Sequence, residues 1–465
     1  MTDALWTTAE VAAATGGRLV GADLPVTGVT FDSRTIEPGD LFIALAGVRD
    51  GHDFVAQALE KGAAACLVSR EGPGPGVIVP DTLKALEALG VAARERAASA
   101  RRAAITGSVG KTSVTQAVRA GLALAGPAHS SVKSFNNHIG VPLTLARMPR
   151  QTERAVFEIG MNHADEITPL SQMVRPHVAA ITTVGPVHVE NFADGEAGVA
   201  AAKAEIFDGL TPGGLAVLNA DNVWFDFLSE RARARGAQIA RFGTGEGCEA
   251  QLLAFEAGEG QARIRARLRG ETIDFPILQT GLHWGLNSMA VLLILEALDV
   301  ERDAAIAALG AFEPLAGRGA EMTLPVGGGT FTLIDESYNA NPISMAAAIA
   351  TLGARRVAGR RLVVLTDMLE LGAEAEAFHR NLAGPLEAAE VDLVFCAGPL
   401  MKSLWDALPS TRRGGYAESA VELGPQVAQA VEPGDVVMVK GSNGSKARAV
   451  AAALVAFGRA QGEQG

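Results

Sequence analysis

Cysteine is scarce: Cys66, Cys248 and Cys396 stand far apart in a chain of 465 residues. No CxxC pair and no Cys/His spacing points to zinc or redox work, so the three read as free, neutral thiols in a reducing compartment. A basic excess is missing as well. With 40 Lys and Arg against 52 Asp and Glu the formal charge is -12, which repels nucleic acid and anionic membranes but leaves room for a local basic pocket for phosphates. Long apolar runs are absent: the longest, Met289 to Leu295, is ended by Glu296. The start, MTDALWTTAEVAAATGG, has no basic region leading into an apolar core. Neither export nor membrane insertion is expected, and the chain reads as a cytoplasmic monomer without a nucleic-acid partner.

What is present is ordinary globular composition, 48% hydrophobic and 20% charged, in a length that exceeds what one core usually serves. Two or three domains follow. The first hundred residues mix short β-rich runs (VTGVTFDS, DLFIAL, ACLVS, GVIVP) with the helical stretches FVAQALEKGA and Thr82 to Ala100. After Arg101-Arg102, strands such as AVFEIG, VAAITTV and GLAVLNA alternate with helices, the pattern of a mainly parallel sheet. Between Phe242 and Pro276, the runs AQLLAFEA, ARIRARL and TIDFPI suggest an antiparallel insertion. The proline and glycines of FEPLAGRG mark a linker near Pro314. Beyond it TLIDES, RLVVLTD, DLVFCAG and DVVMVKGS recur between helices and predict a Rossmann-like α/β domain, closed by a helix over AVAAALVAFGRA. The expected division is 1–102, 103–314 and 315–465.

The sharpest local signal is AAITGSVGKTSVTQAV, a strand turning through a glycine-bearing loop into a helix that starts at Lys111 and Thr112. Backbone N–H groups of such a loop and helix start point at an anion, Lys111 adds a cation near the outer phosphates, and the Thr112 hydroxyl suits magnesium. Gly107 and Gly110 let the backbone come close. The usual eight-position motif wants a fifth-preceding glycine where this chain has Ile105, so the loop is a variant. Alone it says ATP or GTP without naming a reaction.

The TGSVGKT form resembles the loop of the Mur ligases and their folylpolyglutamate synthase cousins. SFNNHIGVPLTL, FEIGMNHADEI, ITTVGPVHVENF, AKAEIF, LNADN, GLHWGLNS, IDESYNANPISM and LTDMLELG follow in the order of that family. FDSRTIEPGDLFIAL and DGHDF extend the match to the N-terminus. The resemblance implies an α/β protein of three domains: a small N-terminal one for the UDP part of a substrate, a central ATPase-like one with a mainly parallel sheet, and a Rossmann-like C-terminal one. It implies an ATP- and Mg2+-dependent amide-forming ligase of cell-wall synthesis. The C-terminal motifs match the type that joins D-alanyl-D-alanine to UDP-N-acetylmuramoyl-tripeptide through an acyl phosphate.

Residue by residue, the match implies that Gly107, Ser108, Val109, Gly110, Lys111, Thr112 and Ser113 cradle the phosphates. Asn287 would contact adenine, Asp335 the ribose, and Arg318 the phosphates on domain closure. Glu158, at a strand end where side chains reach a ligand crevice, is a hard oxygen ligand suited to magnesium. His188 matches a second metal ligand, and Lys203 a carbamylated lysine; bare, Lys203 reads as a solvated helix residue beside Glu205. Lys111, Glu158, His188 and Lys203 form the expected catalytic set. For the substrate, Ser33 and Arg34 match the uridine motif, Asn136 and Asn137 a peptide or sugar contact, and Tyr338, Asn339 and Asn341 the side facing the nucleotide and the incoming peptide.

Three other readings stay open on the residues. A neighbouring Mur ligase adding one amino acid carries a DNPR-type motif, absent here, and a folylpolyglutamate synthase should lack the UDP-binding domain. A P-loop regulatory protein driven by nucleotide state would need base-reading signatures such as NKxD, also absent.

Overall fold

Short strands buried on both faces, such as DLFI and ACLV, can only be satisfied in a sheet covered by helices. The computed structural model describes residues 4–131, 134–258 and 260–462, which leaves Val132 and Lys133 of the asparagine-bearing loop outside. Among the described residues three such sheets form. The first orders its five strands Arg18–Val20, Gly76–Ile78, Ala65–Val68, Asp40–Ile43 and Gly28–Thr30. Only Arg18–Val20 is antiparallel to its neighbour. One face packs on the helix Thr82–Arg96 through Leu86, Leu89 and Ala93.

The second sheet has nine strands in the order Glu271–Ile277, Ala262–Leu268, Ala250–Ala257, Gln238–Gly243, Leu215–Asn219, Val178–Ile181, Arg101–Thr106, Arg154–Glu158, Ala128–Ser130. Its first strand in sequence begins at Arg101, paired with Arg154, so the arginine pair lies inside the strand and does not precede it. The expected antiparallel insertion is real but is no separate unit: Ala250–Ala257 continues the sheet in parallel with Gln238–Gly243, and the next two strands turn back on it. Ala262, Ile264, Ala266 and Leu268 alternate inward, with the arginines of ARIRARL outward, because a strand with one covered face sorts its side chains with period two.

The strand Arg101–Thr106 sits between Val178–Ile181 and Arg154–Glu158, so the chain's crossovers reverse direction around it. In an open parallel sheet that reversal leaves a crevice beyond the strand's C-terminal end. The glycine-bearing loop emerges there.

The third sheet runs Ala320–Val326, Gly329–Glu336, Val436–Lys440, Arg361–Thr366, Leu393–Ala397, Arg413–Ala417, parallel after its first hairpin. The closing helix spans Arg448–Gly462 and packs on Leu324 and Leu333 through Val450 and Leu454. The helix Gly140–Ala146, buried along its whole length, places Leu143 and Ala146 in the N-terminal core. Trp6 Nε1 donates to Ala146 O at 2.8 Å, Arg147 Nε to Val29 O at 2.6 Å, and the Phe31 and Phe135 rings meet at 6.4 Å. The loop carrying the asparagines is thereby held between the first two sheets.

Cys66, Cys248 and Cys396 are unpaired, and burial pushes the Cys66 and Cys396 thiols up to about 12, far from thiolate chemistry. Among the described residues no helix is long and apolar enough to cross a membrane.

Candidate active site

The loop after Thr106 turns tightly because Gly107 and Gly110 take φ of 146° and 87°, where a side chain is strained. A Cβ at Gly107 would also lie 2.0 Å from Thr182 Oγ1. Thr182 in turn donates to Val109 O at 2.5 Å, and Ser108 exchanges hydrogen bonds of 3.0 Å with the backbone of Gly185. The loop is therefore fixed to the neighbouring strand's end. Ser108 N–H is spent on Thr183 O at 2.8 Å, whereas the first helical bond of Lys111–Ala125 is Val114 N–H to Gly110 O at 2.9 Å. The amides of Lys111, Thr112 and Ser113 belong to the helix start that has no intrahelical acceptor, which makes them the anion donors.

A cavity of about 660 Å³ opens in front of these amides, between the second and third sheets. Lys111, Thr112, Asn136, Glu158, His188 and Asn287 line it from the central side; Arg318, Tyr338, Asn339 and Asn341 line it from the C-terminal side. Lys111 Nζ donates to Gly107 O at 2.6 Å. Burial pulls its pKa down, partly opposed by Glu158 and reinforced by Arg318. Arg318 reaches Thr112 Oγ1 at 3.2 Å while stacking 4.2 Å over the Tyr338 ring. Asn287 Oδ1 lies 3.1 Å from where a Cβ of Gly110 would stand, so its amide rests against the loop.

Glu158 is 1% exposed at the end of its strand. Its Oε1 accepts from Asn136 Nδ2 at 2.7 Å, while Oε2 has no hydrogen-bond partner among the described residues. A buried carboxylate oxygen left without a donor is costly unless a ligand completes it. His188 adopts left-handed backbone, φ 59°, and burial together with Lys111 and Lys203 lowers its pKa against the opposing pull of Glu370. Among the described residues no group of three His, Cys, Asp or Glu side chains converges as a ready metal cage. One buried carboxylate oxygen lining the same cavity as a threonine hydroxyl fits a hard cation that takes most of its oxygens from phosphates and water.

Lys203 overturns the solvated reading. It is 2% exposed on the helix Glu196–Ala204, with no hydrogen bond or ion pair among the described residues. Burial, then the charge of Lys111, holds its amine well below the usual lysine range. It is not among the residues that line the cavity.

Several expected residues fall elsewhere. Asn137 is exposed and accepts from Ile139 N and Gly140 N, closing the turn that leads into the helix Gly140–Ala146, which is the ordinary turn role of an asparagine. Asp335 accepts from Ser337 N at 3.1 Å and is not a cavity-lining residue; the next residue, Glu336, is, because side chains alternate along the strand. Asn341 both lines the cavity and caps the helix Pro342–Ala354 through Ser344 N. Ser33 and Arg34 lie on the N-terminal unit outside the cavity; Asp32 takes Arg34 Nε and Nη2 in a fork of two 2.8 Å bonds, and Ser33 O accepts from Lys61 Nζ.

Other cavity residues escaped the sequence reading. Ser134 meets Thr112 Oγ1 at 3.1 Å, and Lys440, buried at its strand end, donates to Glu336 Oε2 at 3.1 Å and Asn339 O at 3.0 Å. Their only local signal is position at a strand's C-terminal end or loop.

Three family models match the chain in succession: a Mur ligase family catalytic domain over residues 25–105, a Mur ligase middle domain over 105–295, and a Mur ligase glutamate ligase domain over 323–443. The chain is 36% identical to the UDP-N-acetylmuramoyl-tripeptide–D-alanyl-D-alanine ligase of Escherichia coli (strain K12) over 82% of its own length and 83% of that protein's. It superposes on crystalline MurF from Acinetobacter baumannii with a TM-score of 0.86 at 28% identity, covering 98% of this chain and all of that one. MurF from Thermotoga maritima, solved in complex with ADP, shares the fold with a TM-score of 0.80 at 23% identity, covering 93% and 98%.

Proposed function

The chain belongs to the Mur ligase family, and from that premise we propose how its residues carry out the reaction. It is an ATP-dependent amide-forming ligase that adds D-alanyl-D-alanine to UDP-N-acetylmuramoyl-tripeptide in peptidoglycan synthesis. The carboxylate of the tripeptide takes the γ-phosphoryl group of ATP, and the dipeptide amine displaces phosphate from the resulting acyl phosphate. A carboxylate approaching a triphosphate is the electrostatic difficulty, so clustered positive charge is the catalyst's first task. Lys111 and the free amides at the start of Lys111–Ala125 answer that need from the central side of the cavity, and Arg318 from the C-terminal side.

Thr112, Glu158 and His188, with Lys203, are the residues that would hold magnesium. When bound, magnesium supplies further charge neutralisation and holds the phosphate oxygens in line. Lys203 supports a carbamate: a buried, unpaired amine is driven toward the neutral form, which is the form that adds carbon dioxide. Asn136 orients Glu158. Asn287 serves the nucleoside, Tyr338, Asn339 and Asn341 the peptide side, and Asn136 the muramoyl-peptide. Ser33 and Arg34 serve the uridine diphosphate. A division at 1–102, 103–314 and 315–465 gives each sheet one of these tasks, with the first seam two residues inside the strand Arg101–Thr106. The protein works as a cytoplasmic monomer.

The observation that carries this reading is the meeting of the phosphate loop, the unsatisfied Glu158 oxygen and Arg318 in one cavity. Incubation of the full chain with ATP, UDP-N-acetylmuramoyl-tripeptide and D-alanyl-D-alanine should give the pentapeptide mass with one phosphate per amide. Phosphate release that ignores both co-substrates would instead mark a nucleotide switch.

A further inference from the structure

His188 is the one proposed cation-site residue whose other ring nitrogen meets a residue of the C-terminal unit. Its Nδ1 lies 2.5 Å from Glu370 Oε2. Glu370 sits in the loop after the strand Arg361–Thr366, itself in left-handed backbone with φ 63°. Two non-glycine residues in a sparsely populated conformation thus meet across the seam, a placement that persists only where the surroundings hold it. The surroundings do so. Gly372 brings the same loop against the turn Val189–Asn191, where a Cβ would stand 3.2 Å from Glu190 Cβ. Leu369 N donates to Ser442 Oγ at 3.1 Å, and Ser442 Oγ donates to Ala340 O at 3.2 Å. Among the described residues no lysine or arginine pairs with Glu370, and it does not line the cavity, whereas His188 does. The carboxylate stands behind the ring.

An imidazole that binds a cation through one nitrogen gives its other N–H to a carboxylate or carbonyl, which fixes the tautomer and aims the ring. We propose that Glu370 is the positioning residue for His188: it holds the proton on Nδ1 and turns Nε2 toward the cavity, so that the cation site is complete only with the C-terminal unit closed. Nδ1 makes no hydrogen bond in this arrangement despite the short approach, so the proposed donation requires the ring to turn its N–H toward Oε2. This inference rests on the reading of Glu158 and His188 as a cation site.

The test uses the full chain with a non-hydrolysable ATP analogue and UDP-N-acetylmuramoyl-tripeptide, titrated with Mn2+ and followed by electron paramagnetic resonance. Glu370→Ala should weaken one Mn2+ site by about 10-fold or more, the range for loss of an orienting partner. Glu370→Gln, whose amide oxygen still accepts from Nδ1–H, should stay within a few-fold of the parent. Nitrogen-15 NMR of labelled histidine should report the Nδ1–H tautomer of His188 in the parent and a mixture in Glu370→Ala. Unchanged or tighter Mn2+ binding by a folded Glu370→Ala, with binding weakened in His188→Ala, overturns the role of Glu370 alone. Unchanged binding in His188→Ala overturns the cation-site reading beneath it.

Discussion

Arg318 Nη2 and Thr112 Oγ1 lie 3.2 Å apart, joining the segment that enters the C-terminal sheet to the helix start of the phosphate loop. Arg318 lies in the stretch between the helix Arg302–Ala311 and the strand Ala320–Val326, where neither helix nor strand constrains the chain. Its guanidinium is braced by the Tyr338 ring, so a planar fork is presented to the phosphate side of the cavity.

That placement predicts that substrates act through closure. Arg318→Ala should lower ligation about 100-fold, in line with loss of one transition-state charge contact. Arg318→Lys should recover only part, since lysine cannot supply two parallel N–H groups. X-ray scattering with and without the ATP analogue plus UDP substrate should show compaction in the parent. Identical profiles would argue against a moving arginine.

Lys111→Ala should abolish amide formation, a fall of about 10²–10³-fold or more for a donor aimed at the transferring group. The fold should persist, because Lys111 contributes one hydrogen bond to its own loop. Phosphate release and circular dichroism on the same sample check both halves.

The fork between Asp32 and Arg34 presents a cation on an exposed loop far from the ATP loop in sequence, so recognition of the two nucleotides should separate. A Ser33→Ala, Arg34→Ala double variant should lose affinity for the UDP substrate and keep that for ATP. Titration calorimetry with each ligand decides, and unchanged UDP-substrate affinity rejects the assignment.

Lys203→Ala should lose most activity if the buried amine carries a carbamate, and short carboxylates should restore part of the rate by filling the vacated space. Activity of the parent should also fall when dissolved carbon dioxide is removed, and recover when it returns. An unmodified amine in a substrate-bound crystal map counts against the carbamate.

Stability should fall in mild acid. His129, whose Nε2 donates to Thr144 O at 2.7 Å, and His177, set among Arg101, Arg102 and Arg175, are held down to about 4, mainly by burial. Unfolded histidines protonate near about 6.5, so between those values the unfolded state binds more protons. Their contribution is complete above about pH 6.5 and is lost as pH falls toward 4. His177→Asn keeps an acceptor for Arg102 N–H and removes the titration, so urea unfolding at pH 7.5, 6 and 5 should show a shallower decline.

The sequence by itself determined the α/β class, the phosphate loop and the Mur ligase motifs, because these depend on local matters: strand and helix periodicity, glycines that permit positive φ, and residue types at fixed spacing. Which side chain faces the cavity was a tertiary decision. Asp335 and Glu336 are adjacent and both acidic, and only the pleat of a strand paired on both sides sends the second inward. Lys203 looked like a solvated lysine since nothing within its helix covers it; the packing around the helix buries it. The contacts of Arg318 with Thr112 and Glu370 with His188 join residues separated by 206 and 182 positions, respectively. No local propensity encodes such pairs, because they exist only once separate cores have formed and docked.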